Sequence, residues 1–319
     1  MPKNKEIRNI AIVGTGVIGA SWAALYLARG LNVVATDPAP NAEVNLRQYI
    51  DNAWKDLTVI GLSRNASRDH LKFSLDMQQA VSNADLVQEN GPERKDFKIK
   101  LFADMDAAAP PDSIIASSSS GLTMSVMQSA CKHPERCVIG HPFNPPHVIP
   151  LVEVVAGEKT SPGTVRRAID FYTSIGKKPI HVRKEVVGHV ANRLQAALYR
   201  EIVYLIEQGV LDVADSDIAV SWGPGLRWGV MGPNLLFHLG GGQGGIQHFM
   251  EHLSGPLATW WKDLGTITEF SPQIKQTIID GVRKEAGNRS IEELERERDS
   301  MLLELLDTRS KGEKAAKAA

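Results

Sequence analysis

A serine run, a histidine and a glutamate stand out by residue type and by what precedes each of them. Ser120 closes Ser117-Ser118-Ser119-Ser120, just past the apolar run Ile114-Ile115-Ala116. His141 closes Val138-Ile139-Gly140 and opens HPFNPP, and Glu153 lies inside the apolar run Leu151 to Val155. Polar groups at the ends of parallel strands gather in the crevice at the carboxyl edge of a sheet, where open α/β sheets bind ligands. A histidine there, with a hydroxyl and a carboxylate in reach, has the makings of a general base, a substrate hydrogen-bonder and an orienter. Each residue alone also has a plain structural reading, because serine runs and histidines before proline are common in turns and loops.

Those side chains need a sheet to position them, and the chain supplies its strands. Ile10 to Val13 reads as a buried strand, and Gly14-Thr15-Gly16-Val17-Ile18-Gly19 follows it as GxGxxG. A helical run then continues to Leu27 and stops at Gly30, a C-terminal cap. The next strand, Leu31 to Thr36, ends on Asp37. In such a loop the first glycine permits the tight turn, the second lets the backbone approach a pyrophosphate, and the third lets helix and strand pack closely. The helix N-terminus offers free N–H groups to the phosphates. A strand before, a helix after and an acid further on are the context that gives this motif meaning. Asp37 is placed to accept hydrogen bonds from both ribose hydroxyls and to repel a 2′-phosphate, and no Arg or Lys follows until Arg47. NAD is therefore expected over NADP. The alternative for Asp37 is a turn cap before Pro38.

Asn41 to Leu57 reads as a helix, Gly61 to Asp69 as a surface loop, and Asp85 to Gln88 as a short strand. GPERKDFKIKLFADMDAA opens with a turn and becomes an amphipathic helix, with Glu93 and Lys98 as first-turn charges on a solvated face. Pro179 to Val182 is the last strand expected, and Lys184 to Gly188 the connection. From His189 the pattern changes: Val190, Leu194, Leu198, Ile202, Leu205 and Ile206 recur at helical spacing as far as Gly209. Glu292 to Leu306 is a charged helix, and KGEKAAKAA a frayed, solvated tail. The chain thus divides into an α/β dinucleotide-binding domain at 1–187 and an all-helical domain at 188–319.

Composition narrows the partners. A net charge of -1 gives no reason to expect nucleic acid or an anionic membrane. No apolar run reaches spanning length, and the start MPKNKEIRN lacks the apolar core of a secretion signal. Cys131 and Cys137 form neither a CxxC pair nor a metal motif, so a reduced cytoplasmic setting is expected. His248 and His252 share a helical face but have no third ligand nearby, so no metal is expected. Trp54, Trp260 and Trp261 read as packing residues. Trp222 and Trp228 flank Arg227 in a Gly-rich stretch. There an aromatic can bind a quaternary ammonium, although core packing is the favoured role.

VGTGVIG, SSSSGL, GHPFNPP, PLVEVV, GHVANRL and MGP together resemble the 3-hydroxyacyl-CoA dehydrogenase family, across nearly the whole chain. The likeness is greatest to its branch acting on free acids. It implies a Rossmann-type domain followed by a helical domain that dimerises, and an NAD-dependent oxidation of a 3-hydroxyl. It assigns Ser120 to the substrate oxygen, His141 as general base, Glu153 as its paired carboxylate and Asn192 as a further substrate contact. On the cofactor side it assigns Asp37, Glu93 and Lys98 to the adenosine half, and Ser118 and Asn144 to the nicotinamide half. Ser118 stands where the family often has Asn, and Gly121 where it often has Ser or Cys. The acid itself stays open among carnitine, gulonate, another small 3-hydroxy acid and an acyl-CoA, with carnitine favoured. A structural NAD-binding role of the crystallin kind is the alternative of another class. PGLRWGVMGP carries Arg227 where the acyl-CoA members have a short Gly-rich turn. A guanidinium there is suited to grip a free carboxylate through two parallel hydrogen bonds.

Overall fold

The computed structural model describes residues 6–318. The chain forms two compact units, Met1–Asn192 and Arg193–Ala319. The first holds the strands β1 (Asn9–Val13), β2 (Asn32–Thr36), β3 (Leu71–Phe73), β4 (Leu86–Glu89), β5 (Ile114–Ser117), β6 (Cys137–Pro142), β7 (Leu151–Ala156) and β8 (Lys178–Val182). They make one sheet in the order β3-β2-β1-β4-β5-β6-β7-β8. Helices α1 (Val17–Ala28), α2 (Ala42–Ile60), α3 (Met77–Val81), α4 (Lys95–Ala108), α5 (Met124–Met127) and α6 (Pro162–Ser174) connect them. This is the α/β, Rossmann-type arrangement, and α7 (Ala191–Glu207) opens the helical remainder.

Alternation along the strands sorts the core into two layers, since successive side chains point to opposite faces. Ile10 and Ile12 join one cluster with Trp22 of α1, Leu46 of α2 and Phe171 of α6. Ala11 and Val13 join the other with Phe102 and Met105 of α4 and Met124 of α5. A sheet covered on both faces needs such continuous apolar strands.

Two strands, β7 and its parallel neighbour β8, run opposite to the other six. β7 runs antiparallel to β6, in a register that sets His141 directly opposite Glu153. The expectation that the two meet at the carboxyl edge of parallel strands is therefore corrected. They meet because cross-strand neighbours on one face of an antiparallel pair lie about 4.5–5.5 Å apart at Cβ. β3 was also hidden in sequence, being three residues long after a charged loop.

Two buried polar assemblies fix the ends of the central strands. Lys98 is only 1% exposed. Its ammonium lies 2.8 Å from each carboxylate oxygen of Glu89, at the end of β4. The reading of Lys98 as a solvated first-turn charge is overturned, because Glu89 supplies a buried partner that helical spacing does not reveal. Glu89 also accepts from Ser117 Oγ, closing β5, at 2.6 Å. On the other face Gln88 accepts from Tyr26 and Tyr172 at 3.2 and 2.7 Å and donates to Ser118 Oγ at 2.9 Å. Burial raises the pKa of both phenols, so they remain protonated donors. Gly140 admits Tyr172 here, since a Cβ on it would lie 2.1 Å from the phenol oxygen.

After α7 the second unit is entirely helical among the described residues: α8 (Val213–Ser221), α9 (Pro224–Trp228), α10 (Pro233–Gly240), α11 (Gly245–His252), α12 (Ser254–Asp263), α13 (Pro272–Ala286) and α14 (Ile291–Ala318). The expected frayed tail instead continues α14 as far as Ala318. The buried core of this unit is small, centred on Val203, Ile206, Val213 and Ile274. Trp222, Trp260 and Trp261 are 76%, 63% and 65% exposed, so the packing role expected for them is not met within one chain. Trp54 does pack against the first unit's core.

Replacing Lys98 by Met leaves Glu89 charged and buried without its counter-ion. Loss of one partner of a buried pair costs about 3–5 kcal/mol. Lys98→Met is expected to lower the unfolding free energy from urea titration by that amount, and a value within about 1 kcal/mol of wild type contradicts it.

Candidate functional site

The four serines of the run have different fates. Ser117 is held by Glu89. Ser118 Oγ donates to Asn90 Oδ1 at 2.8 Å and accepts from Gln88 and from the Trp22 indole. Ser119 Oγ donates to Glu93, whose same oxygen takes the N–H groups of Gly121 and Leu122 at 2.8 and 2.9 Å. Ser120 alone of the four is exposed. The turn is therefore built by its neighbours, and Ser120 is the hydroxyl it presents. Burial alone would raise the Glu93 pKa. The hydrogen bonds from Ser119, Gly121 and Leu122, with the Lys98 charge, instead hold it below the usual carboxylate range. Sequence spacing had offered no sign that Glu93 folds this turn.

Glu153 is fully buried and divides its two oxygens between two jobs. Oε2 lies 2.8 Å from His141 Nδ1. Oε1 accepts the N–H groups of Val190 and Ala191, at 2.8 and 3.0 Å. These are orphan donors of the α7 start, where the positive end of the helix dipole favours a carboxylate. Burial opposes ionisation, yet the hydrogen bonds from His141, Ala191 and Val190 hold the Glu153 pKa below its ordinary value. A carboxylate accepting from Nδ1 fixes the proton there, so the Nε2 lone pair of neutral His141 is free to act as a base. Asn192 follows Ala191 directly, in the first turn of α7. The same carboxylate thus positions both the histidine and the helix start that carries Asn192.

The glycine loop fits a dinucleotide. Gly14 has φ +90, and a Cβ on it would press within 2.9 Å of the Asn90 backbone. On Gly19 a Cβ would lie 1.9 Å from Gly14 O. Gly16 by contrast faces open space within 4 Å, and no side chain caps the α1 N-terminus it starts. A bare helix start beside open space suits a pyrophosphate. Thr15, Val17 and Ile18 complete the loop, and Val17 is exposed on its outer side. Asp37 accepts from Thr15 N–H at 2.7 Å and from Ala39 N–H at 2.9 Å. It therefore ties the glycine loop and caps the turn before Pro38 at once. Asn144 is exposed in the loop after β6.

In the second unit Arg227 is exposed on α9, and Trp222 and Trp228 are exposed on either side of it in sequence. The rings of His248 and His252 on α11 are tilted by 48°, with centroids 4.6 Å apart. One residue went unread in sequence although its motif did not: His189 is buried beside His141, with ring centroids 5.0 Å apart. Its only sequence signal is a histidine just ahead of a helix start.

Known proteins match this chain over nearly all of its length. Residues 9–186 match the 3-hydroxyacyl-CoA dehydrogenase NAD-binding domain, and residues 188–281 match the C-terminal domain of the same family. An L-carnitine dehydrogenase of Pseudomonas putida is 46% identical, covering 96% of this chain and 95% of its own. The Bacillus cereus L-carnitine dehydrogenase is 45% identical over 96% of this chain and 93% of its own. Among solved structures, 5-formyl-3-hydroxy-2-methylpyridine 4-carboxylic acid 5-dehydrogenase, an NAD+-dependent dismutase, superposes with a TM-score of 0.83 at 36% identity, covering 96% and 99% of the two chains.

Glu153→Gln tests the double role of the carboxylate. An amide has one acceptor oxygen, so either His141 Nδ1–H or the α7 N–H groups must face an NH2. A loss of about 1–3 kcal/mol is expected at neutral pH by denaturant unfolding. Because the wild-type carboxyl is held below its unfolded pKa of about 4.3, its stabilisation is lost as pH falls through the folded value. The gap between variant and wild type should therefore narrow on acidification. Equal stabilities at neutral pH, or a gap that does not change, contradict the assignment.

Proposed function

The chain belongs to the 3-hydroxyacyl-CoA dehydrogenase family, and on that premise we propose that it oxidises the 3-hydroxyl of a small free L-3-hydroxy acid, L-carnitine, with NAD as acceptor. The observation that carries the reading is the buried His141–Glu153 pair at 2.8 Å, whose tautomer leaves Nε2 as the base. His141 takes the hydroxyl proton at Nε2, and Glu153 orients the ring and offsets the imidazolium charge. Ser120 and Asn192 donate hydrogen bonds to the oxygen as it becomes carbonyl-like, where charge-stabilising donors act most strongly. When bound, NAD supplies the hydride chemistry. Gly14 to Gly19 would hold its pyrophosphate and Asp37 its ribose, with Asn144 near the nicotinamide half. Glu93, Lys98 and Ser118 serve through the turns they fix.

Two features support a free acid over a thioester. L-Carnitine carries a carboxylate, and the structurally similar dehydrogenase is named for a carboxylic acid. Arg227 offers a planar fork for such a group, and the exposed Trp222 and Trp228 offer faces for a quaternary ammonium. No helix among the described residues is long and apolar enough to cross a membrane. The free thiols of Cys131 and Cys137, 3.9 Å apart, support a reducing, cytoplasmic setting. Exposed Trp260, Trp261 and Leu239 in a unit with a small core support a homodimer built through the helical unit.

His141→Asn is expected to lower kcat by ~10²–10⁴ while NADH still binds, since the base and the glycine loop are separate. NADH absorbance and fluorescence titration check it, and loss of NADH binding in the folded variant counts against it. In a panel of 3-hydroxy acids and a 3-hydroxyacyl-CoA, L-carnitine is expected to give the highest kcat/KM. Arg227→Ala should cut that value roughly ten- to a hundredfold, with Arg227→Lys also impaired. Preference for the thioester, or wild-type kcat/KM in Arg227→Ala, overturns the free-acid reading. Light scattering at micromolar concentration is expected to report a dimer, and a monomer there refutes the shared interface.

A further inference from the structure

We propose that His189 is a positioning residue that clamps the peptide between Ser119 and Ser120 and buttresses the His141 ring. The inference rests on the reading of Ser120 and His141 as the reacting pair. His189 is 3% exposed and sits in the left-handed region, with φ +48. A side chain with a Cβ adopts that conformation only at a cost in strain, which persists only where the surroundings over-determine it. The surroundings here are specific. Its Nε2 lies 2.9 Å from the Ser119 carbonyl oxygen. A carbonyl only accepts, so Nε2 carries the proton. The peptide unit is planar, so holding Ser119 O also orients the Ser120 N–H and Cα.

The other face of the residue is occupied by the histidine it supports. The two rings are tilted by 52° with centroids 5.0 Å apart. His189 Nδ1 is buried and has no hydrogen-bond partner among the described residues. A proton added there would lack an acceptor and would place a second cation beside His141. Burial, with the His141 charge, accordingly lowers the His189 pKa against the opposing pull of Ser119 O, Glu153 and Glu93. The ring is thus a neutral strut. The two residues that follow it donate their N–H groups to Glu153. The left-handed turn at His189 therefore lets one short segment hold the serine turn through its ring and the glutamate through its backbone.

His189→Phe keeps a ring against His141 but removes the donor, whereas His189→Gln returns an amide N–H close to the Nε2 position. Their kinetics on the best free acid, and NADH affinity, are to be compared with wild type. His189→Phe should lose roughly ten- to a hundredfold in kcat, a size typical of a misplaced reacting group, with KM for NAD and NADH affinity within about twofold. His189→Gln should recover most of that loss. Amide hydrogen exchange across 118–122 is read in parallel and needs no activity: it should be faster in His189→Phe than in wild type or His189→Gln. A His189→Phe enzyme with wild-type kcat, a folded His189→Gln as impaired as His189→Phe, or unchanged exchange overturns the proposal. If His189→Phe does not fold, His189→Met takes its place. A wild-type protein inactive on every acid tried would refute the proposed function, while the exchange result would still decide the clamp.

Discussion

One buried carboxylate, Glu153, holds the site together. It has two oxygens and three donors: the His141 imidazole on one side and the Val190 and Ala191 N–H groups on the other. A carboxylate in such a place is costly unless each lone pair is used. Here the positive end of α7 and the imidazole N–H together keep it ionised despite burial. The consequence is geometric as well as electrostatic. The ring tautomer, the start of α7 and hence the station of Asn192 all follow from where this one group sits.

Around it the sheet supplies rigid supports. Glu89 and Lys98 tie the ends of β4 and β5 to α4, and Gln88 with two phenols ties the same strands on the opposite face. Between these two polar assemblies the serine run has little freedom. Three of its hydroxyls are committed to protein partners, and Ser120 is left to face outward. Catalytic groups held by rigid elements and a bonded outer layer are what keeps reacting atoms in register.

Much of this was legible in the sequence. The glycine loop, the strands at Ile10, Ile114 and Val138 and the change to helices near His189 are local patterns, and local patterns survive in a linear reading. What was hidden depends on pairing across the fold. That β7 turns antiparallel cannot be read from an apolar run, because burial on both faces erases the alternation that would orient it. Lys98 looked like a solvated charge, since its partner Glu89 is an i–9 neighbour with no helical relation to it. His189 carries no sequence signal of its place, because that place depends on a left-handed backbone. The tryptophans of the second unit suggest packing by their type, since Trp is highly buried on average, yet Trp222, Trp260 and Trp261 are exposed.

The most direct test of the Glu153 arrangement is the tautomer of His141, read by 15N and 1H NMR of the imidazole in protein labelled at histidine. A proton on Nδ1, strongly deshielded by its bond to the carboxylate and absent from that position in Glu153→Ala, is the result expected. A neutral His141 protonated at Nε2 in the wild type, with Nδ1 bare, would contradict it.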